Sequence, residues 1–369
     1  MWAVGLMTGT VLDGNIDVAL IECDGAQVKQ FGQDVLIPYR TSTVELLHQC
    51  LHEALDWQFG SSEPAIFAEA ERQLTLEQSD AVLSLLDIAG LTPAEIGVVG
   101  FHGQTVLHRA PTEAQIGMTR QLGDGALMAR LLGIDVVHDF RSADMRAGGQ
   151  GAPLCAVFHQ ALLDSLGAGG QTAVLNLGGV ANLSWWDGHD QLVAFDTGPA
   201  NAPINDFVQQ HTDKAFDRDG RFAAEGQVDE DRLTQLLTHD YLSAAYPKSL
   251  DRFDFSWQMA DGLSLEDGCA LLTAFSAAAV AKALTLLPRF PQQLIVCGGG
   301  RRNVTLMREL QLRTGTKVIC AEDVGWRGDA LEAQCFGYLA CLAINGLATS
   351  FPQTTGAQQN VCGGVINRA

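Results

Sequence analysis

Three glycine-rich turns, each directly after an apolar strand-like run, are the features of this sequence best suited to chemistry. Such turns bring backbone N–H groups close to a phosphate, because glycine permits a tight conformation and has no side chain to block the approach. One such turn is weak evidence, whereas three along one chain predict a nucleotide held between two halves of the protein. The turns are formed by Gly9, Thr10, Val11, Leu12, Asp13 and Gly14, by Gly178, Gly179, Val180, Ala181 and Asn182, and by Gly298, Gly299 and Gly300.

The first of these turns carries a carboxylate, Asp13, and Asp17 follows shortly after it. A carboxylate repels phosphate unless a magnesium ion or its water shell lies between the two groups. We therefore expect Asp13 to act on magnesium, directly or through water. The alternative is an Asp-Gly hairpin turn that binds nothing.

A second carboxylate, Asp196, follows the apolar run Leu192–Phe195, and the sequence Thr197-Gly198-Pro199 predicts that the strand ends there. The carboxyl end of a buried strand is where α/β proteins place groups that contact ligands. An aspartate in that place accepts a proton from a hydroxyl or a water molecule. The alternative is a residue that caps a helix or forms an Asx-turn.

The third turn precedes a predicted helix, whose positive end would face a nucleotide. The sequence contains neither G-x-G-x-x-G at this turn nor G-x-x-x-x-G-K-[ST] anywhere, so dinucleotide-binding and P-loop chemistry are poorly supported. Glu332 is an isolated acidic residue in a small-residue helix, either functional or merely solvated. His102 and Gln104 follow a strand and either offer polar side chains to a sugar or are ordinary loop residues.

The elements that position these residues follow a repeated design. A strand, a glycine turn and a second strand occur at 3–21 and again at 173–186, which predicts a duplicated α/β fold with one phosphate-binding hairpin in each half. The junction between the halves is expected between 130 and 150. Helices are predicted over 43–57, 64–89, 121–132, 154–166, 264–287, 303–313 and 329–346.

Composition limits the classes of partner. The chain has 369 residues, of which 47% are hydrophobic, and a formal net charge of −20. This charge argues against nucleic acid and anionic membranes as partners, although it does not exclude ATP. No apolar run reaches the roughly 18–20 residues of a membrane span, and the N-terminus does not resemble a signal peptide. Nine irregularly spaced cysteines favour reduced thiols in the cytoplasm.

Taken together, the motifs resemble those of one family, anhydro-N-acetylmuramic acid kinase, along almost the whole chain. The resemblance implies an actin/hexokinase-like (ribonuclease H-like) fold of two domains that close over ATP. It also implies that water opens the 1,6-anhydro ring of anhydro-N-acetylmuramic acid and that ATP phosphorylates the released O6. The motifs lie at 5–10, 12–14, 101–105, 139–141, 148–153, 176–183, 196–199, 246–249, 297–300, 303 and 331–333.

The resemblance also implies roles for individual residues. Asp196 would be the general base and Glu332 a supporting acidic group near the anhydro bridge. The first two glycine turns would hold phosphates, and the third would lie against the adenosine together with Asn303. Substrate contacts are predicted for His102, Gln104, Gln150 and Asn201.

The predicted domains are 1–135, with 345–369 packing back on it, and 136–345; a homodimer is possible for this family. Three residues depart from the family pattern: Val11 replaces a serine, Asn15 lengthens the first turn, and Ala200 replaces a glycine. The lost hydroxyl at Val11 would remove one hydrogen bond, worth about 0.5–1.5 kcal/mol. We expect a working kinase. The alternatives are a kinase for another sugar or a small carboxylate, and an ATP-binding module without turnover.

Overall fold

A computed structural model describes residues 1–8, 12, 14–60, 62–112, 115–252 and 254–369. Within these residues the chain forms two compact units, here called unit 1 (Met1–Leu162 with Ala330–Ala369) and unit 2 (Leu163–Asp329). Thirteen β-strands and thirteen α-helices are present in the described residues.

The strands are β1 Trp2–Met7, β2 Asn15–Asp24, β3 Gln27–Pro38, β4 Ile96–Phe101, β5 Gln104–Arg109, β6 Met118–Leu122, β7 Val136–His138, β8 Thr172–Leu177, β9 Val180–Trp186, β10 Leu192–Pro199, β11 Gln293–Cys297, β12 Lys317–Cys320 and β13 Val365–Asn367. The helices are α1 Thr41–Trp57, α2 Ala65–Ala89, α3 Gly125–Leu132, α4 Ser142–Arg146, α5 Ala156–Ser165, α6 Asn201–His211, α7 Arg221–Glu225, α8 Glu230–Leu236, α9 Asp240–Ser243, α10 Leu265–Leu284, α11 Val304–Thr314, α12 Leu331–Ile344 and α13 Pro352–Thr355.

The sheet of unit 1 has the strand order β13-β7-β4-β1-β2-β3. The strands β1, β2 and β3 form an antiparallel meander, whereas β4 is parallel to β1 and β7 is parallel to β4. The carboxyl ends of β1, β4 and β7 therefore lie at one edge of the sheet. This is the edge at which α/β proteins bind ligands.

The sheet of unit 2 repeats the same design in the order β10-β9-β8-β11-β12. The strands β8, β9 and β10 form the antiparallel meander, and β11 and β12 are parallel to β8. Because both units share this topology, the predicted duplication is confirmed. Each unit by itself has the ribonuclease H-like topology of the actin/hexokinase-like fold class.

The boundaries of the compact units differ from the predicted domain limits. Strand β7 lies directly after residue 135 but pairs with β4, so it belongs to unit 1. The chain returns to unit 1 at Ala330 rather than near 345, because α12 packs against β1, β2 and β4. The terminal strand β13 then pairs antiparallel with β7 and completes the sheet.

Helix α12 lies unusually close to the sheet of unit 1. A Cβ atom at Gly5 would be 1.7 Å from the Ala333 carbonyl oxygen, and one at Gly100 would be 2.0 Å from that of Phe336. These two glycines pair in register on β1 and β4, and they face Gly337 of the helix. Glycine is needed here because the helix and sheet backbones touch. The contact fixes the start of α12, where Glu332 lies.

Strand β10 is longer than predicted. It does not end at Asp196 but continues to Pro199, with a register shift between Asp196 and Gly198. Because β10 is an edge strand, Pro199 can lie within it although proline has no N–H to donate. A register shift of this kind bends a strand and changes the direction of its side chains.

One helix of the described residues, α10, is long and apolar enough to cross a membrane, but 78% of its apolar window is buried inside the protein. Its residues Ala277, Val280 and Leu284 pack against the sheet of unit 2. The apolar composition of α10 is therefore explained by its place in the core of unit 2. All nine cysteines are free thiols.

Candidate active site

Polar side chains form a row across the sheet of unit 2. Asn176 on β8 pairs with Asn182 on β9, and Asn182 pairs with Asp196 on β10. Directly opposed residues share one face of a sheet. The apolar residues that alternate with this row, such as Leu175 and Phe195, face the opposite side, where the core with α10 and α11 lies. The core therefore lies on one face of the sheet, and the polar row lies on the other. This row, here called the polar edge, is in the carboxyl-terminal halves of β8 and β10 and is suited to a ligand.

Asp196 is a buried carboxylate, only 8% exposed. Its Oδ2 accepts a hydrogen bond of 2.8 Å from the backbone N–H of Leu250. Burial raises the pKa of Asp196 to about 7, while the Leu250 N–H and the charge of Lys248 oppose this rise. A carboxyl group with a pKa close to neutral is well matched to proton transfer. The helix-cap alternative fails, because the N-cap position of α6 is Ala200.

The second glycine turn, between β8 and β9, is tied to the start of α6. The side-chain amide of Asn201 donates to the carbonyl oxygens of Leu177 at 3.1 Å and Gly178 at 2.7 Å. The backbone N–H groups of Ala200 and Ala202 both donate to the Gly179 carbonyl oxygen. The amide of Asn201, which was predicted to bind substrate, thus holds the turn in place.

The third glycine turn, after β11, lies beside the second because β11 pairs with β8. Gly298 has φ 74° and ψ 172°, and a Cβ atom there would be 2.4 Å from Asn176 Oδ1 and 2.8 Å from the Leu177 carbonyl oxygen. At Gly300, a Cβ atom would be 2.6 Å from Leu177 Cβ. Both glycines are therefore required by packing within unit 2.

Other glycines in these turns have no such requirement. A Cβ atom at Gly178 or Gly179 would find its nearest neighbour at 3.5 Å, and one at Gly299 would have none within 4 Å. None of the three has the positive φ that favours glycine. The missing side chains leave the outer surface of both turns open, which is the condition for a phosphate or nucleoside to approach the backbone.

An arginine that the sequence reasoning missed braces the third turn. The guanidinium of Arg301 donates to the Gly298 carbonyl oxygen at 3.0 Å and forms ion pairs with Glu322 at 2.7 Å and Asp329 at 2.8 Å. Burial alone would lower the pKa of Arg301. The hydrogen bonds to the two carboxylates, together with their charges, have a larger effect in the opposite direction, so the net result is a raised pKa. Asn303 caps helix α11 by accepting a bond from the Leu306 N–H at 2.9 Å.

The first glycine turn lies largely outside the described residues, which exclude Gly9, Thr10, Val11 and Asp13. Leu12 is buried with φ 31°, and Gly14 has φ 84°. Asn15 is the first residue of β2 and pairs with Pro38.

In unit 1, His102 is buried and bonded on both sides. Its Nδ1 lies 2.7 Å from the Gly103 carbonyl oxygen, and Arg141 donates to its Nε2 at 3.0 Å. These partners require a neutral ring with the proton on Nδ1. Burial, followed by the charge of Arg141, lowers the pKa of His102 to about 3. Arg141 also donates to the Gly151 carbonyl oxygen at 2.7 Å, so the histidine is connected to the glycine-rich loop 148–151.

That loop is fixed by a buried carboxylate, Asp144. Its Oδ2 accepts from the Gly151 N–H at 2.8 Å, and its Oδ1 accepts from the hydroxyls of Ser350 at 2.5 Å and Thr355 at 2.6 Å. Gln150, a predicted substrate residue, donates its backbone N–H to the Thr355 carbonyl oxygen at 2.7 Å. The C-terminal part of the chain therefore sets the shape of the loop.

A polar cavity of about 300 Å³ lies at the carboxyl ends of β4 and β7 in unit 1, where His102, Asp124 and Asp139 contribute to its lining. Gln104, two residues after His102 in the sequence, is fully buried. Its side-chain oxygen Oε1 accepts no hydrogen bond from the described residues. A buried acceptor of this kind calls for a partner such as a water or a ligand.

Glu332 lies in the first turn of α12 and is half-buried. Its charge interacts with that of Arg141 in the same unit. Among the described residues, no group of three or more histidine, cysteine, aspartate or glutamate side chains is arranged to hold a metal ion. Magnesium does not require such a group when nucleotide phosphates supply most of its ligands.

The comparison with known proteins decides the family. The family model for anhydro-N-acetylmuramic acid kinase matches residues 1–369. The chain belongs to this family. It is therefore an ATP-dependent phosphotransferase that acts on a sugar hydroxyl.

Curated relatives agree along their full length. The anhydro-N-acetylmuramic acid kinases of Brucella anthropi and Mesorhizobium japonicum are each 60% identical over 366 residues, which is 99% of both chains. That of Bradyrhizobium diazoefficiens is 47% identical, again over 99% of both chains. Among solved structures, component A of (R)-2-hydroxyglutaryl-CoA dehydratase from Acidaminococcus fermentans is similar over 92% of this chain and 99% of its own, at 11% identity and a TM-score of 0.45.

Proposed function

We propose that this chain opens 1,6-anhydro-N-acetylmuramic acid with water and transfers the γ-phosphoryl group of ATP to the released O6. Water adds to the anomeric carbon C1 as the C1–O6 bond breaks, and O6 then bonds to the γ-phosphorus as the bond to ADP breaks. The products are N-acetylmuramic acid 6-phosphate, an intermediate of peptidoglycan recycling, and ADP. Family membership supports this substrate and this reaction.

Asp196 is the general base in this proposal, and its environment is the observation that carries the assignment. The side chain is buried at the polar edge of the unit 2 sheet, and its pKa of about 7 allows it to take a proton from water and release it again near neutral pH. One oxygen, Oδ2, is held by the Leu250 N–H. Among the described residues nothing donates to Oδ1, which is therefore available to the attacking water.

The glycine turns hold ATP in this proposal. The open backbone at Gly178 and Gly179, with Asn182 beside it, is assigned to phosphates, and the third turn with Asn303 is assigned to the adenosine. The first turn is assigned to phosphates as well, and Asp13 to magnesium carried by the nucleotide. Bound magnesium would neutralise phosphate charge, which is much of what phosphoryl transfer needs.

The sugar contacts are assigned to unit 1 residues of known chemistry. The Oε1 atom of Gln104, which has no partner among the described residues, is assigned as the acceptor for a sugar hydroxyl. Neutral His102 holds Arg141 beside the loop that carries Gln150. Glu332 acts near the anhydro bridge as an acidic group. Asn201 contributes indirectly, because its amide fixes the second glycine turn.

We further propose cytoplasmic activity on a small-molecule substrate, without nucleic acid or membrane partners. The net charge of −20 and nine free cysteines support this proposal. A homodimer remains a prediction from the family resemblance.

The decisive experiment incubates the protein with ATP, magnesium and 1,6-anhydro-N-acetylmuramic acid and determines the product mass. We expect a gain of one water and one HPO₃ unit, with equimolar ADP.

Asp196→Asn should abolish turnover while nucleotide affinity, measured by calorimetry, is retained. Faster transfer to a plain hexose or a small carboxylate in an acceptor panel would favour the alternative kinases, and tight ATP binding without any turnover would favour the binding module.

A further inference from the structure

The segment Tyr241–Leu250, here called the strap, surrounds the proposed base at three points. The Tyr241 hydroxyl donates to the Asp196 carbonyl oxygen at 2.8 Å. The Asp196 N–H donates to the Lys248 carbonyl oxygen at 3.0 Å, and the Leu250 N–H donates to Asp196 Oδ2 at 2.8 Å. Both backbone groups of Asp196 and one carboxylate oxygen are thus held by one short segment.

The strap is closed on itself by the side chain of Lys248, which is only 7% exposed. Its ammonium group donates to the Tyr241 carbonyl oxygen at 2.8 Å and lies 3.5 Å from that of Leu242. It also lies 4.7 Å from the ring centre of Tyr241 and 5.6 Å from that of Phe195, the residue before Asp196. A cation over aromatic faces gains electrostatic stabilisation that partly offsets the loss of water.

Lys248 forms no ion pair with a carboxylate among the described residues, although its charge reaches that of Asp196. Burial, together with repulsion from Lys282, lowers the pKa of Lys248 to about 8, so the ammonium form is retained at neutral pH. Among the described residues, the charge of Asp196 also reaches Tyr241, which stays neutral because burial and then the Asp196 charge raise its pKa. Lys248 is therefore the cation that favours the ionised form of Asp196.

We propose that Lys248 is a positioning residue for the reaction, which holds the strap around Asp196 and whose charge keeps that carboxylate ready to accept a proton. This inference rests on the proposed function, since it assumes that Asp196 is the base. It assigns a task to the Tyr246-Pro247-Lys248-Ser249 motif. A lysine that only filled space would leave the ionisation of Asp196 unchanged when replaced by an isosteric apolar residue.

The test compares Lys248→Met with Lys248→Arg, which keeps the charge, and with Lys282→Met as a matched control. Lys282 is a half-buried lysine of unit 2 that, like Lys248, donates to a backbone carbonyl, in this case that of Leu237 at 2.8 Å. In Lys248→Met, the acid limb of the kcat/KM profile should move to higher pH by about one unit. For a base with a pKa near 7, this shift lowers the rate at pH 7 about fivefold. The two control variants should keep the wild-type limb.

A direct measurement separates this inference from the proposed function. Carbon-13 NMR of aspartate-labelled protein, with Asp196→Asn used for assignment, follows the Asp196 carboxyl without any substrate. An unchanged Asp196 titration in Lys248→Met overturns the role of Lys248, whereas absence of sugar phosphorylation by the wild type overturns the proposed function instead.

If Lys248→Met does not fold, Lys248→Arg and Tyr241→Phe decide: both should fold and keep the titration midpoint, and Tyr241→Phe should lower kcat. A shifted midpoint in Lys248→Arg, or wild-type kcat in Tyr241→Phe, overturns the inference.

Discussion

Replacing Gly298 by alanine tests whether the third glycine turn is a rigid part of the nucleotide site. The backbone at φ 74° is a conformation that an alanine adopts at a cost of about 1–3 kcal/mol. The new Cβ atom would also lie 2.4 Å from Asn176 Oδ1 and 2.8 Å from the Leu177 carbonyl oxygen. Leu177 cannot move away without displacing the adjoining turn at Gly178, because its backbone belongs to the end of β8.

We therefore expect Gly298→Ala to lose about 2–3 kcal/mol of unfolding free energy if the turn keeps its geometry. If the turn instead relaxes, the same energy appears as weaker ATP binding, since each 1.4 kcal/mol corresponds to a tenfold change in Kd. Urea unfolding measures the loss of unfolding free energy, and calorimetric titration with ATP measures the loss of binding free energy. Their sum should be near 2–3 kcal/mol.

The matched control is Gly299→Ala, since a Cβ atom at Gly299 meets nothing within 4 Å and its φ is not positive. This variant should unfold like the wild type, so any loss of ATP affinity in it reports contact with the nucleotide alone. Wild-type values for Gly298→Ala in both measurements would show that the third turn tolerates a side chain and is not a rigid part of the site.

Three further changes have defined outcomes. Wild-type kcat/KM should fall as the pH drops below about 7, because Asp196 must be ionised to accept a proton and its folded-state pKa is about 7; a profile that is flat down to pH 5 would contradict this. Asp144→Asn should lower the unfolding free energy in urea by about 1–3 kcal/mol, because a buried amide cannot accept the bonds from Ser350, Thr355 and Gly151 together. Asn201→Ala should raise the KM for ATP several-fold by releasing the second glycine turn, and an unchanged KM would show that its two bonds do not position that turn.

The repeated strand-turn-strand pattern was sufficient to predict the duplicated fold, because alternation and glycine position are local properties of the sequence. The polar edge was predictable for the same reason: Asp196 and the turns at Gly178 and Gly298 each follow an apolar run. Their proximity then follows from the pairing of β8 with β9 and β11.

Other features depend on contacts that sequence distance hides. Arg301 bonds to Glu322 and Asp329, and Asp144 bonds to Ser350 more than 200 residues away. The continuation of β10 through Pro199 depends on its place at the edge of a sheet. One signal was available: glycine in the middle of the apolar strand β1, at Gly5, indicates close approach of another backbone, here that of α12.

The interrupted course of unit 1 has a consequence for synthesis in the cell. Residues 330–369 are translated after the whole of unit 2, so the emerging sheet of unit 1 lacks its covering helix α12 and its edge strand β13 while unit 2 is being made. At about 5–20 residues per second, this interval lasts about 10–30 s. Unit 2 is continuous in sequence and can complete its core in that time. During this interval the nascent first half exposes the surface of its sheet that α12 later covers and the edge of β7 that β13 later pairs with.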